Sequence, residues 1–306
     1  MDNNLFLGID TSCYTTSLSV VDSNRKIVVN LQKILKVKHG KQGLRQSEAF
    51  FQHVANLSLL YNQLTSEVDI RSVKGISVSS KPRNIEDSYM PVFLSGLYFA
   101  KNLGNTLNIS VKEFSHQEGH IMASIFSSDF HLEENKTFYS LHLSGGTTEL
   151  LECKYINNRF YSDIIGGSLD ISAGQLIDRV GVKMRLDFPC GKALDELSKK
   201  STTKELYPIS VKGKYFNLSG LESYGFKNIL LKKDEDNAKS LIMSLSKTIK
   251  NTLLNIDSSK DILITGGVSS NSYLRNNLSE NLSNVYFGSA QLSTDNSVGI
   301  ALLGMR

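Results

Sequence analysis

Apolar and polar residues alternate in short runs at the start of the chain, and that two-residue period predicts strands. LFLGI, TSLSVV and KIVVNL are separated by polar turns, with Asp22-Ser23-Asn24 at the second junction, and read as antiparallel strands. The period then lengthens: Phe50, Val54, Leu57, Tyr61 and Leu64 fall on one stripe of a helix. GISVS reads as a further strand, and Pro91 can start the helix after it. The order is strand, strand, strand, helix, strand, helix.

The order then recurs. TFYSLHLS, TELLECKY and FYSDII read as a second set of strands, followed by helical stretches over 170–185 and 192–199. Leu241, Leu245, Ile249 and Leu253, at four-residue spacing, mark a stronger helix before the strand DILIT and another helix. The first strand of each set runs into a small, hydroxyl-rich turn, Asp10-Thr11-Ser12-Cys13-Tyr14-Thr15-Thr16 in one and Ser144-Gly145-Gly146-Thr147-Thr148 in the other. Equivalent turns at equivalent points predict two duplicated lobes facing each other across a cleft. The expected division is 1–108 and 109–292, with a helix in 293–306 packing back on the first lobe.

Length agrees with two lobes, since 306 residues at roughly 150 per domain is a prior for two. Apolar residues make up 40% and charged residues 21%, and no apolar run approaches the ~20 residues of a spanning helix, so a soluble protein without a membrane role is expected. No basic segment or cleavage site of a signal peptide opens the sequence, and Cys13, Cys153 and Cys190 are too few and scattered for a disulfide framework, which fits the cytoplasm. Lys plus Arg number 34 against 30 acids, and the resulting +4 is too mild to announce a nucleic-acid binder. The charge is instead clustered: 23–47 holds Arg25, Lys26, Lys33, Lys36, Lys38, Lys41 and Arg45 and no acid. Such a window serves either as a solvated loop or as a phosphate-contacting one.

The two turns suit phosphate, because backbone N–H groups and hydroxyls can wrap it and glycine lets the chain come close. Gly191-Lys192-Ala193 lacks the pattern of a P-loop, and no GxGxxG opens a helix. His116 and His120 stand one helical turn apart in SHQEGHIMASIF, so both imidazoles share a face and can grip one metal ion; the same spacing serves two histidines that pack or cap a helix. Glu118 falls near the opposite face, which excludes the zinc-peptidase pattern. A metal would want a third, usually acidic ligand, and Asp295 in STDN is a candidate that also suits the start of a last helix. In ITGGVSSN, Gly266 and Gly267 end a strand, and Asn271 is placed either for a base or ribose or for a plain strand-to-helix turn.

Taken together, GIDTSC, HQEGH, LSGGTTEL, GGSLDISAGQLIDRVG, DFPCGKALDEL, ITGGVSSNSYLR and STDN resemble, in order and spacing, the TsaD family of tRNA N6-threonylcarbamoyladenosine transferases, once described as O-sialoglycoprotein endopeptidases. The resemblance implies an α/β, actin-like and sugar-kinase-like ATPase fold of two ribonuclease-H-like lobes. It implies one divalent iron or zinc ion on His116, His120 and Asp295, and an adenylate held by Leu143, Ser144, Gly145, Gly146, Thr147, Asp178, Gly191 and Asn271. The implied reaction moves a threonylcarbamoyl group from threonylcarbamoyl-AMP to N6 of the tRNA adenosine beside the anticodon, with helper proteins of the TsaB and TsaE type. The turn N–H groups at Ser144, Gly145 and Gly146 would stabilise the developing oxyanion, and Asp10 would orient phosphate or metal-bound water.

Three departures fall at the cleft. The family's ETSCDET becomes Asp10-Thr-Ser-Cys-Tyr14-Thr15-Thr16, SGGHT becomes Ser144-Gly145-Gly146-Thr147-Thr148, and the glycine-rich loop after GISVS becomes Ser80-Lys81-Pro82-Arg83-Asn84. A diverged paralogue with a regulatory or scaffold role is the alternative these changes raise. A kinase fares less well, because acids that would hold magnesium are lost.

Overall fold

The structure is a computed structural model that describes residues 4–12, 14–37, 44–294 and 297–305. Strand β1 (Leu5–Asp10) turns back into β2 (Thr15–Asp22), which turns back into β3 (Ile27–Ile34), both pairs antiparallel. Helix α1 (Gln46–Glu67) crosses to β4 (Val73–Lys81), parallel to β1, and α2 (Phe93–Leu107) crosses to β5 (Val111–Ser115), parallel to β4. The spatial order is β3-β2-β1-β4-β5. All eight residues of β2 are buried, as a strand covered on both faces must be, whereas the edge strand β3 exposes every second residue, Val28, Asn30, Gln32 and Ile34.

After α3 (His116–Phe126) come β6 (Thr137–Leu143), β7 (Thr148–Ile156) and β8 (Arg159–Ser168), again an antiparallel meander. Then follow α4 (Ala173–Lys183), α5 (Gly191–Ser198), the short hairpin β9 (Ser210–Lys212) and β10 (Tyr215–Asn217), α6 (Ser219–Asn228) and α7 (Asp234–Leu253). Strand β11 (Ile262–Thr265), α8 (Ser272–Asn281), β12 (Val285–Phe287) and α9 (Val298–Gly304) complete the chain. The second sheet has the order β12-β11-β6-β7-β8-β10-β9. Its strands in the order β8-β7-β6-β11-β12 repeat the first sheet strand for strand, with β11 parallel to β6 and β12 parallel to β11. Two ribonuclease-H-like sheets of this kind make the actin-like, sugar-kinase-like α/β fold.

Each sheet has its own apolar core. Leu7, Ile9, Leu18 and Val20 pack with Leu57, Leu60, Leu64 and Ala100 in the first, and Leu141, Leu143 and Ile264 pack with Leu241, Leu245, Ile249 and Leu253 in the second. Helix α9 returns to the first sheet and wedges against α3: a Cβ on Gly8 would collide with Ser297 O, and one on Gly299 with Gly119 O. No helix among the described residues is long and apolar enough to cross a membrane.

Two expectations need correction. The first strand set does not end by 108, because β5 hydrogen-bonds to β4 and extends the first sheet to Ser115. The buried face of α1 is Ala49, His53, Asn56, Leu57, Leu60 and Leu64, and Val54 is exposed. His53 and Asn56 are polar yet belong inside, because His53 Nδ1 shares a 2.9 Å hydrogen bond with Thr16 Oγ1 and Asn56 Nδ2 donates to the same hydroxyl.

Candidate functional site

Helix α3 starts at the end of the first sheet, and its capping box fixes where the histidines sit. Ser115 Oγ accepts from Glu118 N, while Glu118 Oε2 accepts from Ser115 N at 2.8 Å. Glu118 is thereby spent on the cap, with Oε1 accepting from Phe160 N and facing Arg159 Nε, which agrees with its exclusion as a base. His116 is the first residue of the helix and His120 lies one turn on, so their rings meet at 4.4 Å with Nε2 and Nε2 3.0 Å apart.

Behind His116 stands Asp10, fully buried at the end of β1, with Oδ2 3.3 Å from His116 Nδ1. Ser12 Oγ donates to Asp10 Oδ2 at 2.8 Å, and Ser79 Oγ donates to Oδ1. Asp10 was expected to orient phosphate or water. Its oxygens instead face inward on two serines and an imidazole, the arrangement by which a carboxylate fixes a ligating histidine from behind.

A metal ion is compatible with this pair. For Zn–N bonds of about 2.05 Å at a tetrahedral angle, two ligating nitrogens stand roughly 3.3 Å apart, close to the observed separation. Asp295, the expected third ligand, lies outside the described residues. Among the described residues no three His, Cys, Asp or Glu side chains gather as a metal centre. Sequence reasoning missed His142, buried on β6 with its ring 5.1 Å from that of His120 and Nδ1 3.1 Å from Thr265 Oγ1. Its one signal was a histidine inside a strand that is otherwise buried.

The turn after β6 holds the residues expected to bind phosphate, but the N–H groups of Ser144 and Gly146, expected to face an oxyanion, are already engaged within the turn. Ser144 N donates to Thr147 O, and Ser144 Oγ accepts from Gly146 N at 3.3 Å and Thr147 N at 3.1 Å. These two N–H groups therefore close the turn on the serine hydroxyl, and Ser144 is its internal clasp. Open space lies beside Gly145 and Gly146, where a Cβ would meet nothing within 4 Å. Behind the turn, Gly174 N donates to Ser144 O and Ser172 Oγ to Gly145 O, and a Cβ on Gly174 would stand 2.6 Å from Ser144 O. Gly266, with φ +85°, comes equally close to Leu143 O.

Asp178 lies one turn along α4 from Gly174, so it continues the same wall. It accepts from Cys190 N at 2.8 Å, which holds the chain just before Gly191, and burial pushes its carboxyl up to about 6. Gly191 itself is exposed, with open space where a Cβ would go. Asn271 caps α8, its Oδ1 accepting from Leu274 N, and its Nδ2 donates at 2.9 Å to Asp195 of α5. Asp195 also accepts from Ser272 Oγ and pairs with Lys199, tying the α5 and α8 starts together; sequence reasoning did not single it out. The described structure thus gathers the turn 143–147, Asp178, Gly191 and Asn271 through shared elements, and joins the turn's strand to His116 and His120 through His142.

The family model for tRNA N6-adenosine threonylcarbamoyltransferase, TsaD, matches residues 26–302. This chain belongs to the TsaD family. A tRNA N6-adenosine threonylcarbamoyltransferase of Carboxydothermus hydrogenoformans is 29% identical, over 98% of this chain and 91% of the relative. Among solved structures, component A of (R)-2-hydroxyglutaryl-CoA dehydratase from Acidaminococcus fermentans aligns with TM-score 0.58 at 14% identity, over 99% of this chain and 98% of the other. A ROK family glucokinase from Streptomyces griseus, in complex with glucose and AMPPNP, aligns with TM-score 0.50 at 12% identity, over 98% and 99% of the two chains. These two likenesses establish the fold.

Within this TsaD family member, the loop that departs from the glycine-rich pattern makes a bridge. Arg83 Nη1 lies 3.2 Å from Glu149 Oε1, joining the loop after β4 to strand β7. Burial holds the Glu149 carboxyl above its ordinary value although Arg83 draws it down. Tyr14, in the altered first turn, meets Phe188 edge to face at 5.4 Å. Of the basic window, Arg25, Lys26, Lys36 and Arg45 are exposed, while Lys38 and Lys41 lie outside the described residues. Cys153 and Cys190 are buried free thiols, and Cys13 lies outside the described residues.

Proposed function

We propose that the protein transfers the threonylcarbamoyl group of threonylcarbamoyl-AMP to N6 of an adenosine in tRNA, the one beside the anticodon. The observation that carries this reading is the meeting of His116 and His120 Nε2 at 3.0 Å, backed by Asp10 and joined through His142 to the strand that ends in the turn 143–147. The adenine amine attacks the carbamoyl carbon, a C–N bond forms, the C–O bond to phosphate breaks, and AMP leaves while the amine loses a proton. That amine is a weak nucleophile, so the enzyme's main contribution is to hold it against the acyl carbon and stabilise the charge that develops on oxygen.

Asp178 accepts hydrogen bonds from ribose hydroxyls, and Gly191 and the open flank of Gly145 and Gly146 admit sugar and phosphate closely. Asn271 sets the wall that the base rests on. His116 and His120, with Asp295, would hold a divalent iron or zinc ion, which supplies Lewis-acid polarisation of a bound oxygen. Asp10 keeps His116 in the tautomer that presents Nε2. The exposed cations Arg25, Lys26, Lys36 and Arg45 supply phosphate contacts to tRNA, so its binding weakens steeply with salt. Partners of the TsaB and TsaE type and a cytoplasmic setting complete the proposal. The retained histidine pair favours transfer over the regulatory alternative.

The test is reconstitution with threonine, bicarbonate, ATP, the adenylate-forming enzyme, the helper proteins and unmodified tRNA, followed by nucleoside mass spectrometry. Appearance of the modified adenosine supports the reading. Its absence from a reaction in which a known relative succeeds removes it.

A further inference from the structure

The Arg83–Glu149 pair occupies a place that calls for an explanation. Glu149 is the cross-strand partner of His142 in the β6–β7 pairing, so the two side chains share a face of the sheet. That face is the one on which His142 meets His120. Arg83 reaches it from the other sheet, at the end of β4 beyond Ser79, the serine that donates to Asp10. The guanidinium therefore stands beside the histidine cluster and two residues along β7 from Thr147.

The pairing itself is incomplete. Arg83 Nη1 approaches one oxygen of Glu149 as an ion pair, and its guanidinium makes no further ion pair or hydrogen bond among the described residues. Glu149 Oε2 is buried and likewise has no partner among them. A guanidinium is a planar fork suited to taking a carboxylate with two parallel hydrogen bonds, and here that capacity is unused. The side chain is one third exposed, so it is not sealed from solvent.

The group to be transferred carries such a carboxylate. Threonine is joined through its amine to the carbamoyl carbon, leaving its own carboxylate free at the end away from the adenylate. With phosphate at the turn 143–147 and the carbamoyl carbon near His116 and His120, as the transferase reading has them, an amino-acid end directed along β7 would meet Arg83, which pairs with Glu149 two residues past Thr147. We propose that Arg83 recognises the carboxylate of the amino-acid end of the acyl donor, and that Glu149 is a resting partner the substrate carboxylate displaces. This inference rests on the transferase reading, and it makes Arg83 a specificity-determining residue for donors bearing an anion.

The experiment measures binding, so it does not depend on transfer. Two hydrolysis-resistant analogues of threonylcarbamoyl-AMP are compared by titration calorimetry with the full chain: one with the free carboxylate, one with that carboxylate replaced by a primary amide. AMP is the control ligand. The wild type is expected to prefer the carboxylate by about 10- to 100-fold, the range of a hydrogen bond to a charged group. Arg83→Gln should bind both analogues alike, and Glu149→Gln should bind the carboxylate analogue more tightly while binding of the amide is unchanged. Equal loss for both analogues in Arg83→Gln, or weaker carboxylate binding in Glu149→Gln, would make the pair a structural latch and overturn the inference. Wild type that prefers neither acyl analogue to AMP would overturn the transferase reading and this inference with it; tight acyl binding without carboxylate preference would overturn the role of Arg83 alone.

Discussion

Asn271 Nδ2 donates a 2.9 Å hydrogen bond to Asp195 Oδ1, joining the cap of α8 to the first turns of α5. Both residues are buried, so neither group can turn to water if the other is removed. Together with the bond from Ser272 Oγ to the same carboxylate, this contact ties two segments that the family resemblance assigns to the nucleotide.

Asp195→Ala would leave the Asn271 amide and the Ser272 hydroxyl without their acceptor. The expected cost is about 1–3 kcal/mol of stability, the range for a buried group left unsatisfied. Adenylate affinity should fall with it, since Asn271 then loses its fixed orientation. Because the two side chains act as a unit, Asn271→Ala added to Asp195→Ala should cost clearly less than the sum of the single changes. Urea denaturation of the four proteins, with AMP titration of each, gives both numbers; simple additivity would separate the two residues.

A pH effect follows from Asp178. Burial raises its folded value to about 6 against an ordinary 3.8, so the folded state binds the proton more tightly than the unfolded chain. Its contribution to stability is greatest below about pH 4 and is lost as pH rises toward 6, with a cost of roughly 3 kcal/mol once ionisation is complete. Asp178→Asn keeps an acceptor for Cys190 N and removes the buried charge. The variant should be more stable than wild type at pH 7, with the difference vanishing near pH 4, and should bind adenylate more weakly. Equal urea midpoints at pH 7 would contradict this account.

The same chemistry explains what the sequence could and could not reveal. The two meanders were legible because LFLGI, TSLSVV and KIVVNL, and again TFYSLHLS and TELLECKY, are short apolar-rich runs set off by polar turns, whereas alternation did not report the buried faces, since β2 is buried on both and β6 nearly so. The buried face of α1 was misread because His53 and Asn56 enter the core by satisfying Thr16, a pairing that no hydrophobic count detects. Four-residue spacing was enough to bring His116 and His120 together, since a helix fixes that geometry locally. His142, Asp195 and the Arg83–Glu149 pair depend on contacts between distant segments, and nothing in their local spacing points to them.

Glycines divide into two kinds with opposite expected behaviour. Gly299 lies directly on the backbone of Gly119, where α9 crosses α3, and an added methyl has no place to go. Gly299→Ala should therefore destabilise the protein by about 1–3 kcal/mol, the usual cost of overpacking, or more if the helices must separate. Gly145 and Gly191 have open space at the same point. Gly145→Ala and Gly191→Ala should leave the thermal midpoint unchanged and weaken AMP binding. A reversal of this pattern would mean that the open flanks do not admit the nucleotide.

The proposed metal site offers the sharpest test of Asp10. Its carboxylate touches His116 Nδ1, not the Nε2 that faces His120, so it acts on a bound ion only by orienting and polarising the imidazole. Asp10→Asn is nearly the same size and keeps one acceptor for Ser12 or Ser79. The expected result is a 10- to 100-fold loss of zinc or iron affinity, as is usual for partners behind a ligand, with the fold retained. His116→Ala with His120→Ala should instead abolish stoichiometric metal altogether. Metal content by elemental analysis and competition titration separates the three proteins. Unchanged affinity in Asp10→Asn would return the aspartate to a purely structural role among Ser12, Ser79 and the start of α3.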